Sequence, residues 1–387
     1  MSKSRLWRRL PNLGTHALMI LALTLAILWI IPANYYLVFP GSAQQVSSMI
    51  TVKGHQAETS SDGALYDTYV NQLKASHLLY VVFGLLRPDV TVEPAAAVSS
   101  GCPDAQYQAE LLQMMADSKL EAEAAALNAS GYPVRPARWG PQIQQISCGV
   151  PAASKLQIGD RIVAVDGHAI NGRLPNGHSY PCPPPPDNGE GCSLFEQIKA
   201  LTMANTPGST VRLGLLRGGK RVNETVQTVC SANVSRIRTC AARGGHTMIG
   251  IVMALPYKFP VSVHINSGNV GGPSAGLAFT LGIIQQLTHR DLTNGNKVAV
   301  TGTITYEEVP TAHGGIRPDG AVGPIGGAKQ KAIGAQAAGA KYFIVPVENY
   351  SDARSAHTHL IIIPVSTLSQ ALHVLKSLPP ASKSSPT

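Results

Sequence analysis

Ser274 stands in the run Asn266–Gly282, NSGNVGGPSAGLAFTLG, with Gly271, Gly272 and Gly276 around it and Pro273 before it. Glycines let a chain adopt angles barred to other residues and let a ligand approach the backbone. Pro273 fixes its own φ and has no N–H. The apolar run after the serine predicts a helix, so Ser274 falls where a loop turns into one. The first amides of a helix have no internal partner and point outward at its positive end. Such amides can hold an oxyanion beside a hydroxyl, and Gly271, Gly272, Ser274 and Ala275 are the candidates. An ordinary N-cap serine behind a glycine-rich entry has the same pattern, so a nucleophile also needs a base.

Lys329 and Lys331 lie in the apolar stretch Ile325–Ile333. Burial disfavours a charged amine and pushes its pKa down, which makes such a lysine a candidate base. The plainer alternative is that both lysines sit in solvent or at a helix end. Gly272–Gly276 also satisfies G-x-S-x-G, with Asp352 and then His357 or His359 following in the order of an α/β-hydrolase triad. That elbow needs a strand immediately before it, and Gly268–Gly272 intervene. His264 and His313 are read as structural. No phosphate-loop signature occurs.

Several elements must position these groups. The segment 259–266 predicts a strand, 274–288 a helix, 297–304 a buried strand, 326–340 a helix, 341–347 a strand and 368–378 a helix. Upstream, 105–131 predicts a long helix whose stripe Leu111, Leu112, Met115, Leu120 and Leu127 reads as core. Residues 46–54 predict a strand. Arg161–Val165 alternates as a strand, 194–201 reads as a helix, and 208–229 as a hairpin turning at Gly218-Gly219.

Two resemblances follow from these stretches. GVPAASKLQIGDRIVAVDG with PGSTVRLGLLRGGK resembles a bacterial, protease-associated PDZ domain, with Gly149, Val150, Ile158, Gly159 and Asp160 as its implied peptide-binding residues. GGPSAGLAFTLG, VAVTGTI and DGAVGPIGGAKQKAIGAQAAGAKYFIVP, in that order, resemble the proteolytic domain of Lon proteases. The whole resembles the membrane-anchored, PDZ-containing Lon-like serine peptidases of bacteria. The resemblance implies a Ser–Lys dyad of Ser274 and Lys331, 57 residues apart, with Thr301 orienting the lysine. The sequence departs from the pattern in a longer turn at Thr305–Pro318, and in Ala328 where a larger aliphatic is usual.

The implied fold is α+β: an N-terminal transmembrane helix, a PDZ-like β-rich domain, and a C-terminal Lon-type α/β domain (ribosomal protein S5 domain 2-like). The expected divisions are a basic cytoplasmic segment 1–16, an anchor 17–38, an extracytoplasmic region 39–132 and a PDZ-like domain 133–240 with a Cys/Pro-rich insert 174–193. A proteolytic domain 241–375 and a disordered tail 376–387 follow. The expected function is ATP-independent serine endopeptidase action on extracytoplasmic polypeptides recruited by the PDZ-like domain. The rivals are a catalytically silent peptide-binding scaffold and an α/β-hydrolase-like esterase.

Composition bounds these readings. The chain has 387 residues, 44% hydrophobic, with a net charge of +9. Its basic residues are scattered and aromatics reach only 5%, which argues against a nucleic-acid partner. Lys3, Arg5, Arg8 and Arg9 precede a stretch without Asp, Glu, Lys or Arg up to Lys53, which predicts an uncleaved single-pass anchor with its N-terminus cytoplasmic; the rival is a cleaved signal peptide, for which Pro40–Gln44 offers only a poor cleavage site. The expected partners are therefore polypeptide substrates and the bilayer through 17–38, with no nucleic acid. With no Walker motif in the chain, no ATP is expected, and no cofactor or metal. All six cysteines follow the anchor, in keeping with an oxidising compartment. Cys182–Cys192 and Cys230–Cys240 bracket short loops, leaving Cys102–Cys148, although six cysteines allow fifteen connectivities.

Overall fold

The computed structural model describes residues 11–381 apart from 56–62, 100–101, 137–139, 175, 179–191, 232–239, 241–243, 255–256 and 311–315. The strands β1 (Pro32–Gln45), β3 (Ala64–His77), β4 (Thr91–Pro94), β11 (Lys297–Val300), β14 (Tyr342–Pro346) and β15 (Ile361–Val365) form one mixed sheet. Its order is β15–β14–β11–β3–β1–β4. Central parallel strands covered on both faces read as continuous apolar runs. Accordingly Val298–Val300 and Phe343–Val345 are fully buried.

Helix α5 (Gly276–Thr288) covers one face and is buried over its first twelve residues, as an all-round apolar helix must be. Helix α6 (Ala328–Ala337) covers the other, with Ala328, Ala332 and Ala335 against Ala299, Phe343 and Val345. Small residues let α6 lie low on the sheet: a Cβ on Gly334 would stand 2.5 Å from the Gly41 carbonyl oxygen. Ala328 is itself fully buried. Helix α8 (Leu368–Ser377) packs against β15 and the strand Ile316–Gly323.

Helix α3 (Asp104–Ala129) runs against α5. Of its predicted stripe, Met115 and Leu127 are core, but Leu112 and Leu120 are 51% and 39% exposed. Strand β2 (Ile50–Val52) pairs with β10 (Val263–Ile265), and β12 (Thr303–Pro310) with β13 (Ile316–Gly323). The expected long turn at Thr305–Pro318 is thus mostly a hairpin, its tip outside the described residues.

A second sheet holds β5 (Gln142–Ile146), β6 (Arg161–Val165), β7 (Thr210–Arg217), β8 (Lys220–Gln227) and β9 (Ile251–Ala254), ordered β8–β7–β6–β5–β9. Helix α4 (Cys192–Met203) packs on it through Ile198, over a core with Ile143, Ile162, Val211 and Leu213. The β7–β8 turn is the predicted one, with positive φ at both Gly218 and Gly219, as a two-residue hairpin loop requires.

Three expectations are corrected. The boundaries separating 39–132 from 241–375 do not divide the fold. Strands β1 and β3 lie in the same sheet as β11, and the second sheet is inserted between α3 and β10. Nor is the expected anchor 17–38 a single helix. Helix α1 (Pro11–Ile30) stops before Pro32, and β1 buries Tyr36, Leu37 and Val38 in the sheet. A proline disfavours helix at the residue before it, which ends α1 there. Among the described residues no helix is long and apolar enough to cross a membrane. The tail, expected to be disordered from 376, stays bonded past α8: Asn294 and Asn296 donate to the Leu378 and Pro379 carbonyls at 2.8 Å each.

Cysteines 102 and 148 are bonded, as are 230 and 240. Cys182 and most of the insert 174–193 lie outside the described residues.

Candidate active site

The loop after β10 delivers Ser274 two residues ahead of α5, with the helix starting at Gly276. Two bonds from α3 fix that loop. The Gly272 amide donates to the Leu111 carbonyl at 2.7 Å, and Ser118 Oγ donates to the Pro273 carbonyl at 2.9 Å. Gly272 is therefore spoken for and leaves the set of candidate oxyanion donors. The amides of Gly271, Ser274 and Ala275 have no acceptor among the described residues.

The predicted buried strand 297–304 breaks after Val300, and the break places Thr301. Its amide donates to the Ile344 carbonyl at 3.0 Å, while Gly302 donates to the Ser274 carbonyl at 2.9 Å. From the opposite face α6 sends Lys331 to the same point. Lys331 Nζ lies 2.7 Å from Ser274 Oγ and 3.1 Å from Thr301 Oγ1. Thr301 Oγ1 also donates to the Ser274 carbonyl at 3.2 Å. Lys331 is 2% exposed, and burial pushes its pKa from 10.5 down to about 8, Asp67 pulling the other way. An amine so placed is a base available near neutral pH. Lys329 does not take part; its amide donates to Asp352 Oδ2 at 3.2 Å.

That contact occupies the acid of the rival triad, and residues 266–275 between β10 and α5 form a loop rather than a strand-to-helix elbow. The α/β-hydrolase reading is set aside on both counts. Among the described residues no group of three or more His, Cys, Asp or Glu could hold a metal.

Two further clefts open elsewhere on the chain. One, of about 390 Å³, lies between α3 and the β10 loop, lined by Leu112, Met115, Lys119, Leu120, Glu123, His264 and Val270 among others. The exposed half of the α3 stripe faces it. Burial pushes Glu123 there up to about 7. His313 falls outside the described residues.

The second cleft, of about 250 Å³, lies between α4 and β9, lined by Phe195, Ile198, Lys199, Met203, Met248, Ile249 and Ile251 among others. None of the residues expected to bind peptide lines it. Asp160 is 1% exposed and holds Arg217 at 2.7 Å, with the Gln157 amide donating to it at 2.8 Å. Gly149 and Gly159 turn the chain at positive φ, and Val150 packs on Gly250. Ile158 lies instead in a cavity against α3. The glycine-and-aspartate signature therefore marks a structural turn. Met248-Ile-Gly-Ile251, which the sequence analysis did not single out, lines the cleft beside α4.

Residues 221–377 match the Lon protease (S16) C-terminal proteolytic domain. This segment is similar to a Lon-type proteolytic domain. The chain is 33% identical over 132 residues to the Lon protease of Desulfatibacillum aliphaticivorans, a stretch covering 33% of this chain and 14% of that protein. It is 32% identical over 168 residues to that of Chloroflexus aggregans, covering 42% and 18%. The chain thus spans less than a fifth of the length of these relatives. Among solved structures it is similar to the PDZ domain of the SdrC-like protein from Listeria monocytogenes, 18% identical with TM-score 0.21, covering 30% of this chain and 90% of that one. The Lon-type match starts inside β8 and leaves out β1 and β3, which complete its sheet from the far side of the insertion.

Proposed function

We propose that the protein is a serine endopeptidase in which Lys331 activates Ser274 without ATP. The observation that carries this reading is the buried Lys331 amine 2.7 Å from the Ser274 hydroxyl. Neutral Lys331 accepts the hydroxyl proton as Ser274 Oγ attacks a peptide carbonyl carbon. The Ser274 and Ala275 amides, with Gly271, receive the oxyanion. The Lys331 ammonium then gives its proton to the leaving amine, freeing the C-terminal fragment. Water, deprotonated by the same amine, releases the acyl group and restores the serine. Thr301 holds Nζ in line throughout. The α3–β10 cleft takes side chains next to the scissile bond, and the α4–β9 cleft captures an extended segment of substrate by strand addition to its edge.

A location at a membrane, with the catalytic centre extracytoplasmic, belongs to the same proposal. It is supported by α1, where Leu18, Met19, Ile20, Leu21, Leu23 and Ile30 are each 55% to 75% exposed, and by the two disulfides. Cell fractionation tests it: protein recovered wholly in the soluble fraction argues against a membrane location.

The decisive experiment compares degradation of an unfolded casein by the wild-type chain and by Ser274→Ala, without nucleotide. Cleavage is expected from the first alone. Cleavage that persists in Ser274→Ala overturns the assignment. A chain that binds peptide in the α4–β9 cleft but never cleaves is instead the scaffold, the second reading which that cleft supports.

A further inference from the structure

The mechanism leaves the buried carboxyl of Asp67 without a task. Asp67 lies in β3 and is 2% exposed. In the β3–β11 pairing it stands opposite Val300, the residue before Thr301. Its Oδ1 has no hydrogen-bond partner among the described residues. A carboxylate is expensive to bury and is retained where a cation repays it.

We propose that Asp67 is a positioning residue of the reaction, a buried counter-charge for the ammonium that Lys331 becomes when it takes the serine proton. The proposal rests on the Ser274–Lys331 reading. Proton transfer creates a positive charge on a fully enclosed side chain, and a fixed negative charge nearby lowers the cost of that step. Burial pushes Asp67 up to about 6, with Lys331 drawing it back, so it is ionised where Lys331 works. Packed against α6 are β1, β3, β14 and α7 (Tyr350–Arg354). They carry Lys74 and His77 toward the other end of β3, Asp352 and Arg354 on α7, and several tyrosines; α6 itself carries Lys329. Of all these, Asp67 alone acts on Lys331.

The test is the pH profile of kcat/KM for casein cleavage by full-length Asp67→Asn, which keeps the shape and removes the charge. Without the carboxylate the Lys331 ammonium loses its partner and gives up its proton more readily. The acid limb is expected to move to lower pH by about one unit or more. The weaker base lowers kcat about 10- to 100-fold, with KM and the melting temperature little changed. An acid limb that stays at the wild-type pH, or moves up, overturns the proposal even if activity is lost. Asp67→Ser replaces the asparagine variant if that one does not fold. Ser274→Ala separates the two claims. If it still cleaves, the dyad fails; if it is inert and the Asp67→Asn limb is unmoved, only the role of Asp67 fails.

Discussion

A lysine buried between a sheet and a helix is an expense that only chemistry justifies. Its folded pKa of about 8 lies below the ordinary 10.5, so the folded chain releases this proton first. Stability therefore rises with pH between those values, and below about pH 8 the folded state bears the full penalty, on the order of 3 kcal/mol. Lys331→Met should abolish cleavage while raising the melting temperature at pH 7, read by calorimetry beside a casein assay. Activity of the wild-type chain should climb as pH rises through about 8, since the neutral amine is the proposed base. Thr301→Val removes the hydroxyl 3.1 Å from Nζ. It should cut kcat about 10-fold or more with KM preserved, in steady-state kinetics. Glycine spacing and an apolar lysine context, both local patterns, singled out Ser274 and the pair Lys329 and Lys331; it was the resemblance to Lon proteases that chose Lys331. Asp67 was not, because its meaning arises only when β3 pairs beside β11.

Element geometry explains how a side chain from one face of the sheet meets a hydroxyl from the other. The alanines and Gly334 of α6 bring the helix close enough to β1 for Lys331 to reach the end of β11. Gly334→Ala sets a methyl against the Gly41 carbonyl and should destabilise the chain by about 1–3 kcal/mol, measured by urea unfolding. Activity should fall with it as Lys331 is pushed back. Helix α3 holds the nucleophile loop through Leu111 and Ser118, a role its apolar stripe did not reveal because backbone carbonyls leave no trace in composition. The stripe misled in another way: Leu112 and Leu120 have the spacing of core residues but line a cleft. Expected strands and helices fell close to their places wherever periodicity was strong, as in α3, α5 and β14. At Pro32 a continuous apolar run hid a change from helix to strand, since hydropathy alone does not tell a helix from a buried strand.

At the scale of the molecule the peptidase sheet is assembled from two distant stretches of chain around an inserted second unit. A fragment 221–377, the length of the family match, lacks β1 and β3 and should not fold; circular dichroism and exchange protection would show it. The Cys102–Cys148 bond ties the approach to α3 to the end of β5, closing a loop 46 residues long. Cys148→Ser should cost about 4 kcal/mol on chain entropy, seen as a lower melting temperature under oxidising conditions. No local pattern announced this discontinuity, because β3, one of the two partners of β11, was written more than two hundred residues earlier. The order of synthesis then acts as a safeguard. On the proposed mechanism a nascent chain displays Ser274 while Lys331 is still 57 residues from being made, so a chain caught between the two can cut neither its neighbours nor itself.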